Sequence, residues 1–413
     1  MRALCAAAAI AAASCLRAQP APPFNCSSQA SGAFVPVNLT NAAGTLTLQF
    51  IPYGGTVQRV IFSGVDVVLG FDDATQYCAN AIHPYFGALI GRVANRIAGG
   101  SFAFHGTTVN TPVNEVYATG GGDTLHGGWV GYDRRVWSVQ VAPGGAAATL
   151  RLESPDGEEG FPGALSIAVV YTVGDDDSWR IDYEAIAADD TVVAMTQHTY
   201  WNLNGAAAKI TEHVLTLPGA RNTLAVDANL IPTGAFAPVS AQPWMDFTQA
   251  KAIGRDIAKG TVTPTGGYDN AWLYDGWRPG APPATRAVAF SPLSGIEMEV
   301  TSDQPSLQFY SGNFLDGTLR KKADQGAGFY ERWFAIALEA QHFPDRCAHY
   351  LVPSTRARAL CSPTPPTSAL PPNISTACTT PMTRAGQRLS CAQARRTGSA
   401  RRTGSPSGRE FCL

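Results

Sequence analysis

The sequence is poor in charge and lacks the short motifs that bind most cofactors. Only 15% of its 413 residues are charged and 45% are hydrophobic, which is typical of a folded protein and not of a disordered chain. It has no Walker loop, no Gly-x-Gly-x-x-Gly opening a helix after a strand, no His-Glu-x-x-His and no paired Cys-x-x-Cys. Its seven histidines show no metal-ligand spacing. We therefore expect no metal and no nucleotide cofactor, and chemistry carried by side chains alone.

Cysteine is scarce in the body of the chain. Of nine cysteines, Cys5 and Cys15 lie near the N-terminus and five follow residue 345, which leaves Cys26 and Cys78. In an oxidising compartment these two could form a disulfide.

The charge is unevenly distributed. Residues 346–413 hold 10 Arg and one acid, a balance of +9, so the net charge of -2 leaves -11 for the rest, from 20 Lys and Arg against 31 Asp and Glu. An acidic globular part offers no footprint for nucleic acid, and we expect none as a partner.

No acidic residue occurs before Asp66, and the chain begins with Met1-Arg2 and an Ala-rich apolar run. Residues 1–18 read as a secretory signal peptide with cleavage near Ala18, and an organelle transit peptide is the alternative. The run is too short to span a membrane, so we expect a secreted protein without stable membrane insertion. Glycosylation triplets, which fit export, begin at Asn25, Asn38 and Asn373.

Long amphipathic helices are also missing, while period-two alternation recurs. Leu46, Leu48 and Phe50 alternate with polar residues, and the stretches 179–185 and 296–300 behave in the same way. With 41 Gly and 29 Pro in turn clusters between such runs, the pattern predicts an all-β protein.

The last 68 residues, 346–413, differ from the rest. They are rich in Pro, Ser, Thr and Arg and carry a tandem hexapeptide at 394–399 and 400–405. Such a segment cannot build a core, so we expect a disordered basic tail or a stretch that is not genuinely translated.

Polar clusters interrupt otherwise apolar or Gly-rich strand ends. They are Gly91-Arg92-Val93-Ala94-Asn95-Arg96-Ile97, Thr124-Leu125-His126-Gly127-Gly128, Gln197-His198-Thr199-Tyr200-Trp201-Asn202-Leu203, Gly267-Tyr268-Asp269-Asn270 and Leu338-Glu339-Ala340-Gln341. In order and spacing these clusters resemble the aldose 1-epimerase (galactose mutarotase) family, and the resemblance extends to the stretches 154–163 and 304–314. It covers a catalytic domain at 33–345.

The resemblance implies a large antiparallel β-sandwich of the galactose mutarotase type, with its active site in a cleft on one sheet. It implies an enzyme that interconverts the α and β anomers of free hexoses such as glucose or galactose, without a cofactor. Glu339 would be the base and His198 the acid. Residues that would bind and orient sugar hydroxyls are Asn95, Arg96, His126, Asp269 and Gln304. No partner protein is implied.

Glu339 also stands out from its own strand. Ala335, Ala337 and Glu339 share one face, while Phe334, Ile336 and Leu338 share the other. A carboxylate on a face of small residues indicates a pocket floor, because an unpaired carboxylate in so apolar a strand is costly.

The other site residues have structural alternatives. Arg96 could tie down a loop, His126 could be a turn residue and Asp269 a turn carboxylate. His198, after a predicted strand at 191–195, could be a core histidine, although the following Tyr200-Trp201 could stack on a sugar ring. The acidic residues 156–159 resemble a glycosidase carboxylate pair, but the flanking Pro and Gly favour a turn.

Two alternatives to the epimerase remain from the sequence. One is a catalytically silent sugar-binding module that uses the same pocket. The other is a relative that acts on phosphorylated hexoses, which would need more basic residues in the cleft. One departure from the family is that nothing in 346–413 matches its final strand.

Overall fold

A computed structural model gives the fold of this protein. It describes residues 17–18, 26, 29–30, 32–80, 84–117, 120–187, 189–260, 266–345 and 387–389.

Strands make up nearly all of the regular structure. In chain order they are β1 (Arg17–Ala18), β2 (Val37–Thr40), β3 (Leu46–Ile51), β4 (Thr56–Phe62), β5 (Val65–Asp66), β6 (Leu89–Ile90), β7 (Arg96–Ala98), β8 (Ser101–Phe104), β9 (Thr107–Asn110), β10 (Glu115–Val116), β11 (Gly122–Leu125), β12 (Ser138–Val141), β13 (Ala147–Ser154) and β14 (Leu165–Val173). They continue with β15 (Trp179–Ala187), β16 (Thr196–Gln197), β17 (Tyr200–Trp201), β18 (Val214–Thr216), β19 (Asn222–Val226), β20 (Pro232–Pro238), β21 (Lys251–Ala252), β22 (Asp269–Leu273), β23 (Ala284–Phe290), β24 (Glu297–Ser302), β25 (Ser306–Tyr310), β26 (Ile336–Gln341) and β27 (Gln387–Leu389).

The predicted all-β class is confirmed. The single α-helix of the described residues, α1 (Gln76–Ala79), is four residues long, and the strands within every sheet pair antiparallel. The predicted alternation of β3 is also confirmed, because Leu46, Leu48 and Phe50 are fully buried.

The predicted strand at 191–195 does not form as a ladder. This stretch makes a single parallel bridge, between Ala194 and Val93, and regular pairing begins only at β16. The β-branched residues Val192 and Val193 are buried, but the neighbouring segment continues alongside for one residue only. The β-branched residues of this stretch are therefore buried, as their composition favours, although the stretch has no neighbouring strand to pair with.

The sheet that carries the site has six strands in the order β17-β26-β25-β22-β19-β20. One of its faces packs into the largest hydrophobic core, through Ile336, Leu338, Leu307, Phe309 and Trp272. This core is completed by residues of the sheets β2-β3-β4-β5, β12-β13-β14-β15-β27 and β21-β18-β23-β24. The opposite face of the six-stranded sheet, which carries Glu339, is termed the cleft face.

A second, smaller core covers part of that opposite face. It contains Ala335, Ala337 and Tyr310 together with Phe334. The prediction that Phe334 shares the face of Ile336 and Leu338 was wrong, because Phe334 precedes the first residue of β26 and is not held by its pleat.

Cys26 and Cys78 form a disulfide, the pairing that the sequence allowed. It links the segment before β2 to α1. None of the helices that the structure describes is both long and apolar enough to cross a bilayer.

The chain after Asp345 is described only at β27, which pairs with β15. The hexapeptide repeat and most of the predicted tail lie outside the described residues. The same holds for residues 1–16 of the predicted signal peptide, while Arg17–Ala18 forms β1 beside β10.

The acidic motif at 156–159 is held as a structural turn. Asp156 accepts a hydrogen bond from the Gly163 backbone at 2.6 Å, and Glu159 accepts one from the Trp129 backbone at 2.7 Å. Arg92, fully buried, donates to the carbonyl oxygens of Pro162 and Gly163. These carboxylates therefore stabilise backbone, and a glycosidase pair is not formed.

One histidine, His213, is fully buried. His213 Nε2 accepts a hydrogen bond from the Leu203 backbone at 3.1 Å, and Nδ1 has no hydrogen-bond partner among the described residues. Burial lowers the pKa of His213 from 6.5 to about 4. The imidazole is therefore neutral in the folded state at neutral pH, whereas in the unfolded chain it binds a proton below its ordinary pKa.

We expect His213 to reduce the free energy of unfolding as the pH falls from about 6.5 to about 4, by about 3 kcal/mol in total. The unfolded state binds more protons than the native state across that window, so acid favours unfolding. Urea unfolding of the wild type and of His213→Gln, each at several pH values, measures the difference in pH dependence. His105→Gln, at an exposed position, is the control. An equal acid sensitivity in wild type and His213→Gln would contradict this assignment.

Candidate active site

Glu339 lies in the middle of β26, on the cleft face of the six-stranded sheet. Its direct cross-strand partner is Gln308 of β25, so both side chains point to the same side. Tyr310 and Ala337, another cross-strand pair, lie on this face as well. Glu339 is therefore a buried carboxylate on a face that also carries Gln308, Tyr310 and Ala337.

His198 lies between β16 and β17, at the edge of the same sheet. Its backbone N–H donates to Ala88 at 3.0 Å, and its carbonyl accepts from Gly87 at 3.0 Å. Gly87 has φ +64°, and a Cβ there would lie 2.0 Å from the Val57 carbonyl oxygen, so only glycine permits this approach. The loop before β6 thus fixes the position of His198.

The two predicted catalytic residues meet in the cleft. His198 Nε2 lies 3.5 Å from Glu339 Oε1, and both side chains are buried. The second carboxylate oxygen, Oε2, has no hydrogen-bond partner among the described residues. One oxygen therefore faces the imidazole while the other can accept a proton from a ligand.

Burial raises the pKa of Glu339 well above its ordinary value, and the nearby charge of Asp269 adds to this. Arg96 acts in the opposite direction. The reference pKa of a glutamate is thus a poor guide here. A raised pKa makes the ionised carboxylate a stronger base toward a proton of the substrate.

His126 lies beside this pair, and its tautomer follows from its surroundings. The backbone N–H of Asn95 donates to His126 Nδ1 at 3.1 Å, so in the neutral ring the proton is on Nε2. Asn95 and His126 both have left-handed backbone, with φ +64° and φ +53°. Asn tolerates that region well. The His126 side chain therefore presents an N–H donor to the cleft.

His126, His198 and Glu339 place three ligand atoms within 4.8 Å of one another, a set that invites comparison with a metal site. Coordination through Nε2 of His126 would require the proton to move to Nδ1, where it would oppose the Asn95 N–H. The residues present therefore do not fit a metal centre. The same set suits hydrogen bonding to a polar ligand.

Asp269 begins β22 and is buried on the cleft face. Its Oδ1 accepts a hydrogen bond from Gln308 Nε2 at 2.6 Å, and its Oδ2 lies 3.9 Å from Arg96 Nη1. Burial raises the pKa of Asp269, while Arg96 and the Gln308 hydrogen bond offset part of that effect. With its amide nitrogen so engaged, Gln308 leaves Oε1 without a partner among the described residues.

Gln304 lies apart from these contacts. It is in the turn before β25, where its side chain donates to Asp303 at 2.9 Å and its backbone N–H to Ser302 Oγ at 3.0 Å. The position beside Glu339 belongs to Gln308, four residues later, which the sequence analysis missed. The signal was available, because Gln308 lies at even spacing from Tyr310 within a strand-like run.

The aromatic residues divide between cleft and core. Tyr200 stacks on the His198 ring with centroids 5.1 Å apart, whereas Trp201 points to the main core, 6.1 Å from Trp179. Trp201 is thus not a sugar-stacking residue. Tyr85, also missed by the sequence analysis, has its ring 4.6 Å from His126 and 5.9 Å from His198.

The glycines after His126 serve the backbone. A Cβ on Gly127, which has φ +92°, would lie 2.1 Å from the Gly91 carbonyl oxygen. The missing side chain at Gly127 therefore admits another segment of the chain.

The chain is similar to known sugar epimerases along most of its length. Residues 37–358 match the family model described as aldose 1-epimerase. The chain is 38% identical over 281 residues to galactose mutarotase of Bos taurus, which covers 68% of this chain and 76% of the relative. It is 34% identical over 319 residues to a probable aldose 1-epimerase of Arthroderma benhamiae, covering 70% of this chain and 71% of the relative.

The fold has solved counterparts as well. The crystal structure of an aldose epimerase homologue from C. elegans aligns with a TM-score of 0.67 and 28% identity, over 77% of this chain and 93% of that chain. Its likeness agrees with the antiparallel architecture. This protein therefore belongs to the aldose 1-epimerase family.

Proposed function

We propose that this protein is an aldose 1-epimerase, an isomerase that interconverts the α and β anomers of free hexoses such as glucose or galactose. The single observation that carries the proposal is the buried pair of His198 and Glu339, 3.5 Å apart, with one Glu339 oxygen lacking a partner among the described residues. The names of the relatives agree with this activity.

The reaction needs two proton transfers. Glu339 takes the proton from the hydroxyl on the anomeric carbon, and His198 gives a proton to the ring oxygen as the bond between that oxygen and the anomeric carbon breaks. The product is an open-chain aldehyde. After rotation about the bond between the first two carbons, the hydroxyl formed from the former ring oxygen attacks the other face of the carbonyl. Both proton transfers then run in reverse. No atom or electron is gained or lost.

The remaining cleft residues can hold the sugar. The His126 Nε2–H is a donor, Gln308 Oε1 is an acceptor, and Asp269 and Arg96 provide charged contacts to hydroxyls. Asp269 is held by Gln308 and faces Arg96, so these groups are positioned before a substrate arrives.

Polarimetry tests the proposal. Freshly dissolved α-glucose or α-galactose should reach rotational equilibrium faster with the purified chain than in buffer alone, and added chelator should leave the rate unchanged. Binding of the sugar without acceleration would contradict the proposed enzyme activity and indicate a catalytically silent sugar-binding module. Loss of the acceleration with chelator would show that a metal takes part.

We propose further that the protein is a secreted glycoprotein. The Ala-rich start supports this, and so does the disulfide between Cys26 and Cys78, because disulfides persist in oxidising compartments. Asn38 of the triplet Asn38-Leu39-Thr40 is exposed on β2, so a glycan there would meet solvent. Removal of residues 1–18 would also remove β1 from the side of β10.

We expect the natural protein to begin near Gln19 and to carry a glycan at Asn38. Mass spectrometry of the protein from its native source, before and after glycosidase treatment, measures both. The matched control is Asn38→Gln, which should lose the mass of the glycan and nothing else. An intact Met1 or Arg2 at the N-terminus would contradict export by this signal.

A further inference from the structure

Two acidic residues face each other inside the protein, behind the cleft. Glu115 of β10 and Asp123 of β11 are direct cross-strand partners, so their side chains share one face. Glu115 is 6% exposed and Asp123 is not exposed at all. Like charges directly opposite each other destabilise a sheet, and burial increases that cost.

The guanidinium of Arg96 lies within salt-bridge distance of both Glu115 and Asp123. Arg96 Nε lies 2.8 Å from Glu115 Oε2 and 3.8 Å from Asp123 Oδ2. Arg96 also faces the cleft, where Nη1 lies 3.9 Å from Asp269 Oδ2. Three buried carboxyl groups thus surround one cation, and among the residues whose side chains are described no other cation lies within salt-bridge distance of either Glu115 or Asp123.

The hydrogen bonds around Asp123 do not supply the missing charge. The Tyr117 hydroxyl donates to Asp123 Oδ2 at 2.6 Å, while Oδ1 has no hydrogen-bond partner among the described residues. On the other side of β11, Ala98 of β7 pairs with Asp123 and donates its N–H to the carboxylate of Asp345 at 3.2 Å. The charged and titratable side chains that contact the pair among the described residues are therefore Arg96 and the Tyr117 phenol, while Asp345 is held by the backbone of the neighbouring strand β7.

If all three carboxyl groups were ionised, they and Arg96 would leave two negative charges among side chains that are all buried. A single proton between Glu115 and Asp123 reduces this to one. Burial, and then the charge of Glu115, raise the pKa of Asp123 to about 8, although Arg96 and Tyr117 oppose the shift. Because Glu115 and Asp123 oppose each other directly across the two strands, the charge of Glu115 disfavours ionisation of Asp123.

We propose that Glu115 and Asp123 share one proton at neutral pH and act as a positioning pair for Arg96, so that their protonation controls how Arg96 is held toward Asp269 and the sugar. This rests on the proposed epimerase function. With one proton present, the pair carries a single negative charge and competes only weakly with Asp269 for the Arg96 guanidinium. When that proton leaves, a second full charge draws Arg96 away from Asp269, and sugar binding weakens as the pH rises.

The proton can be observed without any activity measurement. Infrared difference spectra of the full chain between about pH 7 and about pH 9 should contain the C=O stretching band of a protonated carboxylic acid that ionises on the alkaline side. Other buried carboxyl groups absorb in the same spectral region, so the wild type is compared with Asp123→Asn, in which only the band of the pair should disappear. Asp189→Asn, at an exposed position, is the matched control and should leave the spectrum unchanged.

The positioning role is tested by saturation kinetics across the same pH range. In the wild type KM should rise through the alkaline range with kcat less affected, and in Asp123→Asn, which imitates the protonated acid, KM should stay within about twofold of its neutral value. Glu115→Gln provides the second variant if Asp123→Asn fails to fold, and it too should abolish the band.

Absence of a wild-type carboxylic acid band that these variants remove would overturn the shared proton. A band that they remove, with the same alkaline rise of KM in the variants as in the wild type, would overturn the positioning role. A chain that shows the band but no mutarotation would leave the proton pair standing and reject the proposed function, so the two failures are distinguishable.

Discussion

Replacing Glu339 by glutamine is expected to slow catalysed mutarotation by about two to four orders of magnitude while the fold survives. The amide keeps the shape of the side chain and can still reach His198, which lies 3.5 Å away. It cannot take the proton from the anomeric hydroxyl. The uncharged amide also removes a buried carboxylate near Asp269, so no loss of stability is expected from the change.

The measurement is the polarimetric decay of fresh α-galactose at saturating concentration, corrected for the rate in buffer. Glu153→Gln makes the same chemical change at an exposed position of β13 and should behave as the wild type. Circular dichroism and thermal unfolding show whether Glu339→Gln is folded. A folded variant with nearly the wild-type rate would refute Glu339 as the base.

The pH dependence of kcat also tests the assignment of Glu339 as the base. A base is active in its ionised form, and burial raises the pKa of Glu339. We therefore expect kcat to fall as the pH drops through that raised pKa, at a higher pH than for an ordinary glutamate. The residual activity of Glu339→Gln should lack this limb.

Replacing His198 by asparagine is expected to cost a comparable factor in kcat, about two to four orders of magnitude. Asparagine can donate a hydrogen bond, but it cannot give up a proton to the ring oxygen as the ring opens. The backbone bonds of His198 to Ala88 and Gly87 do not involve the side chain, so the loop should stay in place.

A double variant separates a shared mechanism from two independent contributions. If Glu339 and His198 act in one concerted exchange, Glu339→Gln combined with His198→Asn should be little slower than either single variant. His105→Asn, at an exposed histidine, is the control for the substitution itself. If the loss of kcat in the double variant equals the product of the two single losses, the residues act in separate steps. A mild effect of His198→Asn alone would contradict the assignment of His198 as the acid.

Local sequence was sufficient to predict a strand wherever one face of that strand is buried and the other is not. Leu46, Leu48 and Phe50 of β3 follow the period of two and are fully buried, as predicted. Glu339 was conspicuous for the same reason, because a carboxylate among alternating apolar residues must be explained by burial or function. The stretch 191–195 has the same character but lacks a neighbour to pair with, which its own residues do not reveal.

Register between strands was beyond the reach of the sequence. Gln304 and Gln308 belong to the same polar-rich run, and only the pairing of Gln308 with Glu339 shows which of them lies on the cleft floor. Tyr200 and Trp201 are adjacent in the chain yet lie on opposite faces of the sheet, one against His198 and the other in the core. A shift of one residue in register would exchange them.

The sequence by itself determined the all-β class, the buried carboxylate in β26 and, through the order of its polar clusters, the family. The first two follow from periodicity and local composition, which depend on near neighbours in the chain, whereas the family was identified by its resemblance. The tertiary structure decided the distance between His198 and Glu339, the tautomer of His126 and the pairing of Glu115 with Asp123 across β10 and β11. Each of these depends on which strands lie side by side and in what register, because proton positions and buried charges are set by contacts between segments far apart in the chain.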